Sequence, residues 1–123
     1  MNVRILLLIL ASVSLSAVAQ ISLKSGMASD RVQQALAGTP WRAALTVAGT
    51  PQVVFGLLLY VFGAVLWLLV LARIDVSLAY PFVGIGFVLT MLLGFLLFGE
   101  PVGSLRLTGT LLVTAGILLV ART

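Results

Sequence analysis

Few side chains in this sequence could take part in chemistry, and their types exclude several functions at once. The 123 residues contain seven Lys or Arg, three Asp or Glu, and neither His nor Cys. A zinc site, a His-based catalytic triad, a disulfide framework and a thiol nucleophile are therefore excluded. No Gly-rich run ends in Gly-Lys-Ser or Gly-Lys-Thr, so the sequence has no phosphate-binding loop for ATP. We predict a protein that is not an enzyme and needs neither a metal nor another cofactor.

The most suggestive polar pattern lies near the N-terminus and repeats at every fourth residue: Ser12, Ser16, Gln20 and Lys24. Residues four apart on a helix share nearly the same face, so these side chains form one slanting stripe. In a membrane such a stripe faces protein or water. The serines could bond back to their own helix while Gln20 bridges to another helix and Lys24 reaches the interface. Alternatively, the stripe lines a groove, and Lys24 meets an anionic headgroup.

The three acidic residues are predicted to lie in different environments and to have different roles. We interpret Asp30 as a solvated helix cap in a loop, and Asp75 as part of a tight turn with Arg73. Glu100 ends a continuous apolar run, so we expect it at the membrane boundary. There it ends the helix, pairs with Arg106 or receives a cationic group of a substrate. The first three apolar stretches contain no acidic residue, which argues against a proton-coupled cation exporter.

The elements that must position these side chains follow from the composition. Hydrophobic residues make up 62% of the chain and charged residues 8%, against roughly half and a quarter in a soluble domain. A span of roughly 30 Å needs about 20 apolar residues at 1.5 Å each. Four stretches are long enough, and we predict one membrane domain, 1–123, with spans at about 5–23, 53–72, 76–99 and 102–121. The fold class is then all-α and integral to the membrane.

The polar segment 24–50 is predicted to be an interfacial loop that carries a short helix, with Trp41 at the membrane surface. The N-terminus also imitates a signal peptide, since Ala17-Val18-Ala19 offers a small-residue cleavage site. We interpret it as a retained first span. Small residues predict close helix approach in the third and fourth spans: Gly84, Gly86 and Gly94, then Gly109, Ala115 and Gly116. Four helices are too few to enclose a path, so we expect a dimeric bundle.

The basic residues stand singly in an apolar chain, which favours positions near lipid headgroups and disfavours nucleic-acid binding. If all four stretches span the membrane, the seven basic residues divide three against four. Arg4, Arg73 and Arg122 lie on one side, and on the other lie Lys24, Arg31, Arg42 and Arg106. This near-equality predicts no orientation. Either a partner subunit fixes the topology, or the chain inserts in both orientations and forms an antiparallel dimer.

Several segments resemble the small four-helix members of the drug/metabolite transporter superfamily, which are EamA-like and small multidrug resistance-like proteins. They are Leu66-Trp67-Leu68-Leu69-Val70-Leu71, Ala79-Tyr80-Pro81, Glu100-Pro101-Val102 leading to Gly109, and Ala19-Gln20 with Lys24. Among them the chain is most similar to the subunits of Arn-type flippases for 4-amino-4-deoxy-L-arabinose-phosphoundecaprenol. The small multidrug exporters place an essential Glu in the first helix, where this chain reads Leu10-Ala11-Ser12-Val13-Ser14.

The resemblance implies a subunit of a flippase that moves an undecaprenyl-phosphate-linked, aminoarabinose-like sugar between leaflets of the bacterial inner membrane. Its partners would be the sugar lipid and a second subunit, in a homodimer or a heterodimer with a similar four-helix protein. The predicted substrate-binding residues are Ser12, Ser16, Gln20, Lys24, Trp67, Arg73, Tyr80, Pro81 and Glu100. The serines, Gln20 and Tyr80 would bind the sugar, Lys24 or Arg73 the phosphate, and Glu100 an amine.

Two alternatives from other classes stay open. The first is an exporter of small metabolites or cations of the small multidrug resistance type, which would need a titratable group in its path. The second is an accessory subunit of a membrane glycosyltransferase, which would move no lipid by itself.

Overall fold

The computed structural model describes residues 2–123, and all regular secondary structure in that part of the chain is helical. The elements are α1 (Val3–Met27), α2 (Asp30–Leu36), α3 (Pro40–Ala48), α4 (Pro51–Leu71), α5 (Val76–Ala79), a 3₁₀-helix (Tyr80–Phe82), α6 (Val83–Phe98) and α7 (Ser104–Ala121). Within residues 2–123 four helices are long and apolar enough to cross a membrane: α1, α4, α7, and the continuous stretch Val76–Phe98, here named the third span. The predicted all-α class with four membrane helices is confirmed.

The third span changes helix type near its start because of Pro81. Proline has no backbone N–H, so the carbonyl of Ser77 loses the donor that an α-helix would supply. The chain tightens into the 3₁₀-helix Tyr80–Phe82 and resumes as α6 at Val83. This change leaves Tyr80 exposed on the outside of the bundle and turns Phe82 into the core.

Glycines let α1 and α4 approach each other closely. A Cβ built on Gly56 would lie 2.9 Å from Leu23 Cγ and 3.0 Å from the Ala19 carbonyl oxygen. A Cβ on Gly63 would lie 3.2 Å from the Ser12 carbonyl oxygen, and the Ser12 hydroxyl donates a buried 2.7 Å hydrogen bond to the Gly63 carbonyl. We name this antiparallel contact the α1–α4 seam.

The hydrophobic core lies toward the end of the bundle where α1 begins. Its buried members come from all four membrane helices: Ile9, Val13, Val70, Ala79, Phe82 and Ile117. Helix α7 joins this core mainly through Ile117, which is 6% exposed. Gly84 provides room for that contact, since a Cβ there would lie 2.7 Å from Val113 Cγ1 and 2.8 Å from Ile117 Cδ1. Gly109 and Gly116, where we also expected close approach, have no neighbour within 4 Å of a built Cβ.

The segment between α1 and α4 holds the two short helices α2 and α3, which pack against each other. Ser29 is the N-cap residue of α2, and Asp30 lies in the first turn, where its charge favours the positive end of the helix dipole. Asp75 is the N-cap residue of α5. Trp41, at the start of α3, is 73% exposed, as expected for a side chain that lies in the headgroup region.

Candidate functional site

A groove runs between α4 and the third span, over the middle of α1. Helix α1 packs against both α4 and α6 and forms its floor. The cavity has a volume of about 530 Å³. Tyr60, Tyr80 and Phe87 lie at its rim and are exposed, so the groove opens on the outside of the subunit at the depth of the membrane.

The floor of the groove carries three residues of the predicted stripe, Ser12, Ser16 and Gln20. Ser12 is buried, and its hydroxyl is already used in the bond to Gly63. Ser16 is half-buried, with its Oγ 3.3 Å from the position that a Cβ on Gly63 would occupy. Gln20 is exposed. The stripe therefore divides into one serine that closes the α1–α4 seam and two polar residues that face the groove.

Helix α4 supplies one wall through Tyr60, Gly63, Ala64 and Trp67. These residues are spaced i, i+3, i+4 and i+7, which places them on one face of the helix. Trp67 is half-buried because its ring also packs against the hydrophobic core. Trp67 was predicted from the sequence, whereas Tyr60 was not. Counting back seven residues from Trp67 along the same face of the helix leads to Tyr60, so the helical spacing could have predicted it.

The third span supplies the other wall through Tyr80, Val83, Gly86, Phe87 and Thr90. A Cβ on Gly86 would lie 3.2 Å from Val13 Cγ1, so a glycine there keeps this wall close to α1. Thr90, which was also not predicted from the sequence, donates its hydroxyl to the Gly86 carbonyl oxygen at 2.9 Å. Its polarity is therefore largely satisfied within its own helix.

Pro81 does not line this groove. It lies in a second, apolar cavity of about 380 Å³ between the third span and α7. Tyr80 lines both cavities.

The charged candidates lie at the two ends of the spans. Lys24 is exposed in the last turn of α1, at the end where α4 begins. Arg73 is exposed beyond the opposite end of α4. Glu100 follows α6 and is half-buried, with its carboxylate against Gly94. The Arg106 guanidinium donates to the Pro101 carbonyl oxygen at 2.9 Å.

The structure thus brings together Ser12, Ser16, Gln20, Trp67 and Tyr80, and it leaves Lys24, Arg73, Pro81 and Glu100 outside the groove. Within residues 2–123 no cluster of three acidic, His or Cys side chains is arranged to hold a metal ion. Hydroxyls, one amide and aromatic rings are the groups that the groove offers to a ligand. Such a surface can bind an uncharged polar molecule at membrane depth.

This architecture defines a small multi-pass membrane protein with a polar groove among four helices. Residues 36–113 match the family described as Small Multidrug Resistance protein. The chain belongs to that family. The matched residues include α4, the third span and part of α7, whereas α1 lies before them.

Curated relatives extend the similarity over α1. The chain is 34% identical over 115 residues to the probable 4-amino-4-deoxy-L-arabinose-phosphoundecaprenol flippase subunit ArnE of Pseudomonas aeruginosa, covering 94% of this chain and 95% of that protein. It is 29% identical over 123 residues to the protein of the same description in Pseudomonas fluorescens, covering 95% and 96%. No solved structure matches. Together with the four apolar helices, these relatives identify a multi-pass protein of the bacterial inner membrane.

Proposed function

We propose that this protein is one subunit of a flippase that carries an undecaprenyl-phosphate-linked sugar of the aminoarabinose type between the leaflets of the inner membrane. It moves the lipid without changing it chemically. The observation that carries the proposal is the near full-length similarity to ArnE, 34% identity over 94% of the chain. The resemblance of Leu66–Leu71 and Ala79–Pro81 to the same group agrees with it.

The groove supports this function physically. A sugar lipid keeps its polyprenyl chain in the bilayer while its polar head crosses, so its path must open sideways and offer polar contacts. The groove opens at membrane depth between α4 and the third span, and it is lined by Ser16, Gln20 and Tyr60. We assign the sugar head to this groove.

The basic residues beyond the groove suit the phosphate. Lys24 and Arg73 lie at opposite ends of the membrane helices, so each could meet the phosphate at one membrane surface through a charge-assisted contact. Glu100 lies at the same end as Lys24 and outside the groove, so it could meet a substrate amine only at that membrane surface, where an ion pair exposed to water adds little affinity.

Assembly into a dimer is supported by the exposed surface of α7. Leucines recur there at every seventh residue and are strongly exposed: Leu105 by 88%, Leu112 by 69% and Leu119 by 70%. Gly109 and Gly116 lie between them with open space around each. Small residues beside large ones let two helices approach closely in lipid. We assign this surface to a second subunit, either the same chain or a similar four-helix protein.

A translocation assay in vesicles tests the function. The purified protein, alone and with a similar four-helix subunit, is reconstituted with a fluorescent sugar lipid, and the fraction that reaches the inner leaflet is measured by quenching from outside. We expect transfer with wild type. Lys24→Gln and Arg73→Gln should slow it by about threefold to tenfold, since each removes one charge-assisted contact.

The matched control is Arg42→Gln, which removes an exposed charge from α3 without changing either end of the groove. No transfer by wild type in either composition would contradict the flippase function. Coupled export of a soluble cation in the same vesicles would instead favour multidrug transport.

A further inference from the structure

The polar groups of the groove differ in whether they already have hydrogen-bond partners. Ser12 and Thr90 donate their hydroxyls to carbonyl oxygens of the protein at 2.7 and 2.9 Å. The side chains of Ser16, Gln20 and Tyr60 take part in none of the hydrogen bonds found within residues 2–123. Gln20 and Tyr60 are exposed, and no buried polar side-chain atom of a less exposed residue in that range, such as Ser16, lacks a partner. The unpaired groups of all three residues are therefore accessible.

Unpaired polar groups at this depth must find partners other than lipid. A hydroxyl or amide that faces hydrocarbon without a hydrogen bond is strongly unfavourable. Ser16 and Gln20 lie one turn apart on α1, and Tyr60 stands on the facing α4 wall beside Gly63. All three side chains can both donate and accept hydrogen bonds. The groove therefore holds water or a ligand that offers donors and acceptors together.

A sugar ring has that combination, because each of its hydroxyls donates and accepts. The rings of Tyr60, Trp67 and Tyr80 supply flat apolar surface for the C–H side of the same ring. Polar contacts on the floor and aromatic surface at the rim match the two kinds of surface that a sugar presents.

The carboxylates of the protein lie elsewhere. Asp30 begins α2, Asp75 precedes α5 and Glu100 follows α6, so all three stand at helix ends. Bringing an ammonium group to membrane depth without an opposite charge is costly. A hydroxyl at the same position of the sugar carries no such cost and can use the partners on the floor of the groove.

We infer that the groove selects its cargo by the hydroxyls of a sugar ring and does not require an amine, with Ser16, Gln20 and Tyr60 as the specificity-determining residues. The inference rests on the proposed function and extends its substrate class from aminoarabinose lipids to lipid-linked sugars with adjacent hydroxyls, amino-substituted or not. Selection for the amino sugar then belongs to the reactions that make the lipid.

Binding of three lipids with the same short prenyl phosphate tests this. One carries aminoarabinose, one carries the pentose with a hydroxyl in place of the amine, and one carries no sugar. Calorimetry on the purified protein in lipid nanodiscs gives each Kd. We expect the two sugar lipids to bind within about threefold of each other. Both should bind about a hundredfold more tightly than the sugarless lipid, because three hydrogen bonds worth about fivefold each multiply to that range.

Two variants locate the effect. Ser16→Ala and Tyr60→Phe should each weaken both sugar lipids by about fivefold, the value of one hydrogen bond, and leave the sugarless lipid unchanged. Ser14→Ala is the matched control, because Ser14 is exposed and does not line the groove. Unchanged binding of the sugarless lipid shows that each variant remains folded.

Three outcomes would overturn the inference: a preference of wild type for the amine above about threefold, equal weakening of all three lipids by the variants, or equal binding of all three lipids by wild type. An amine preference that depends on Trp67 and Tyr80 would show that aromatic faces bind the ammonium instead. Because transfer in vesicles is measured separately, its absence contradicts the proposed function, whereas amine-dependent binding with intact transfer contradicts only the hydroxyl inference.

Discussion

The α1–α4 seam and the outer surface of α7 use the same residue type in opposite ways. In the seam, Gly56 and Gly63 have no room for a side chain, and Ser12 closes the contact with a buried hydrogen bond. On α7, Gly109 and Gly116 have open space around them. Lipid provides no hydrophobic force between helices, so close packing and hydrogen bonds must hold them together. The seam is complete within one subunit, whereas the glycines of the α7 surface have no neighbour there.

This contrast separates two tasks. The seam fixes the rotation of α1 relative to α4, which turns Ser16 and Gln20 toward the groove. The α7 surface takes no part in the main groove, since none of its residues lines that cavity. Changes in the seam should therefore affect stability and binding together, whereas changes on α7 should affect assembly.

The largest expected effect comes from filling the seam. Gly63→Leu places carbon atoms where Ser12 O and Ser16 Oγ already lie, at 3.2 and 3.3 Å from the first added atom. Overpacking of this kind costs about 1–3 kcal/mol. We expect a lower free energy of unfolding in SDS titration and weaker binding of the sugar lipid. Stability equal to wild type would show that the two helices can separate without cost, and that the seam is not a rigid element.

A smaller effect is expected from removing the hydrogen bond in the seam and leaving its glycines in place. Ser12→Ala deletes the buried donor to Gly63, and hydrogen bonds between membrane helices contribute about 0.6–1.7 kcal/mol. The same SDS titration measures the change, with Ser14→Ala as the matched exposed serine. If both variants lose the same stability, the loss comes from the helix itself and not from the contact with α4.

The sequence predicts the four spans because long apolar runs leave few alternatives, and the spacing of the polar stripe predicts which α1 residues lie together. It does not predict that Ser12 is used in the seam while Ser16 stays free, because that depends on how α1 rotates against α4. The close helix contacts at Gly56 and Gly63 are not predicted for the same reason. A glycine in an apolar run does not reveal which helix packs against it. The close contacts expected at Gly109 and Gly116 are absent within the subunit, where a built Cβ has no neighbour within 4 Å.

The smallest expected effect on the stability of the subunit comes from Gly109→Leu. A built Cβ at Gly109 meets no atom within 4 Å, so the free energy of unfolding should stay within about 0.5 kcal/mol of wild type. Dimer formation should fall sharply, because the added side chain holds the two α7 helices apart. Energy transfer between labelled subunits in vesicles measures this.

Leu111→Phe is the matched control for assembly, because position 111 is exposed and lies about 200° around the helix from position 109. A dimer lost in both variants would mean that α7 tolerates no added bulk anywhere on its lipid-facing surface. If Gly109→Leu still forms the dimer, the α7 surface is not the contact between subunits. The open glycines would then differ from those of the seam only because lipid, and no second protein, covers them.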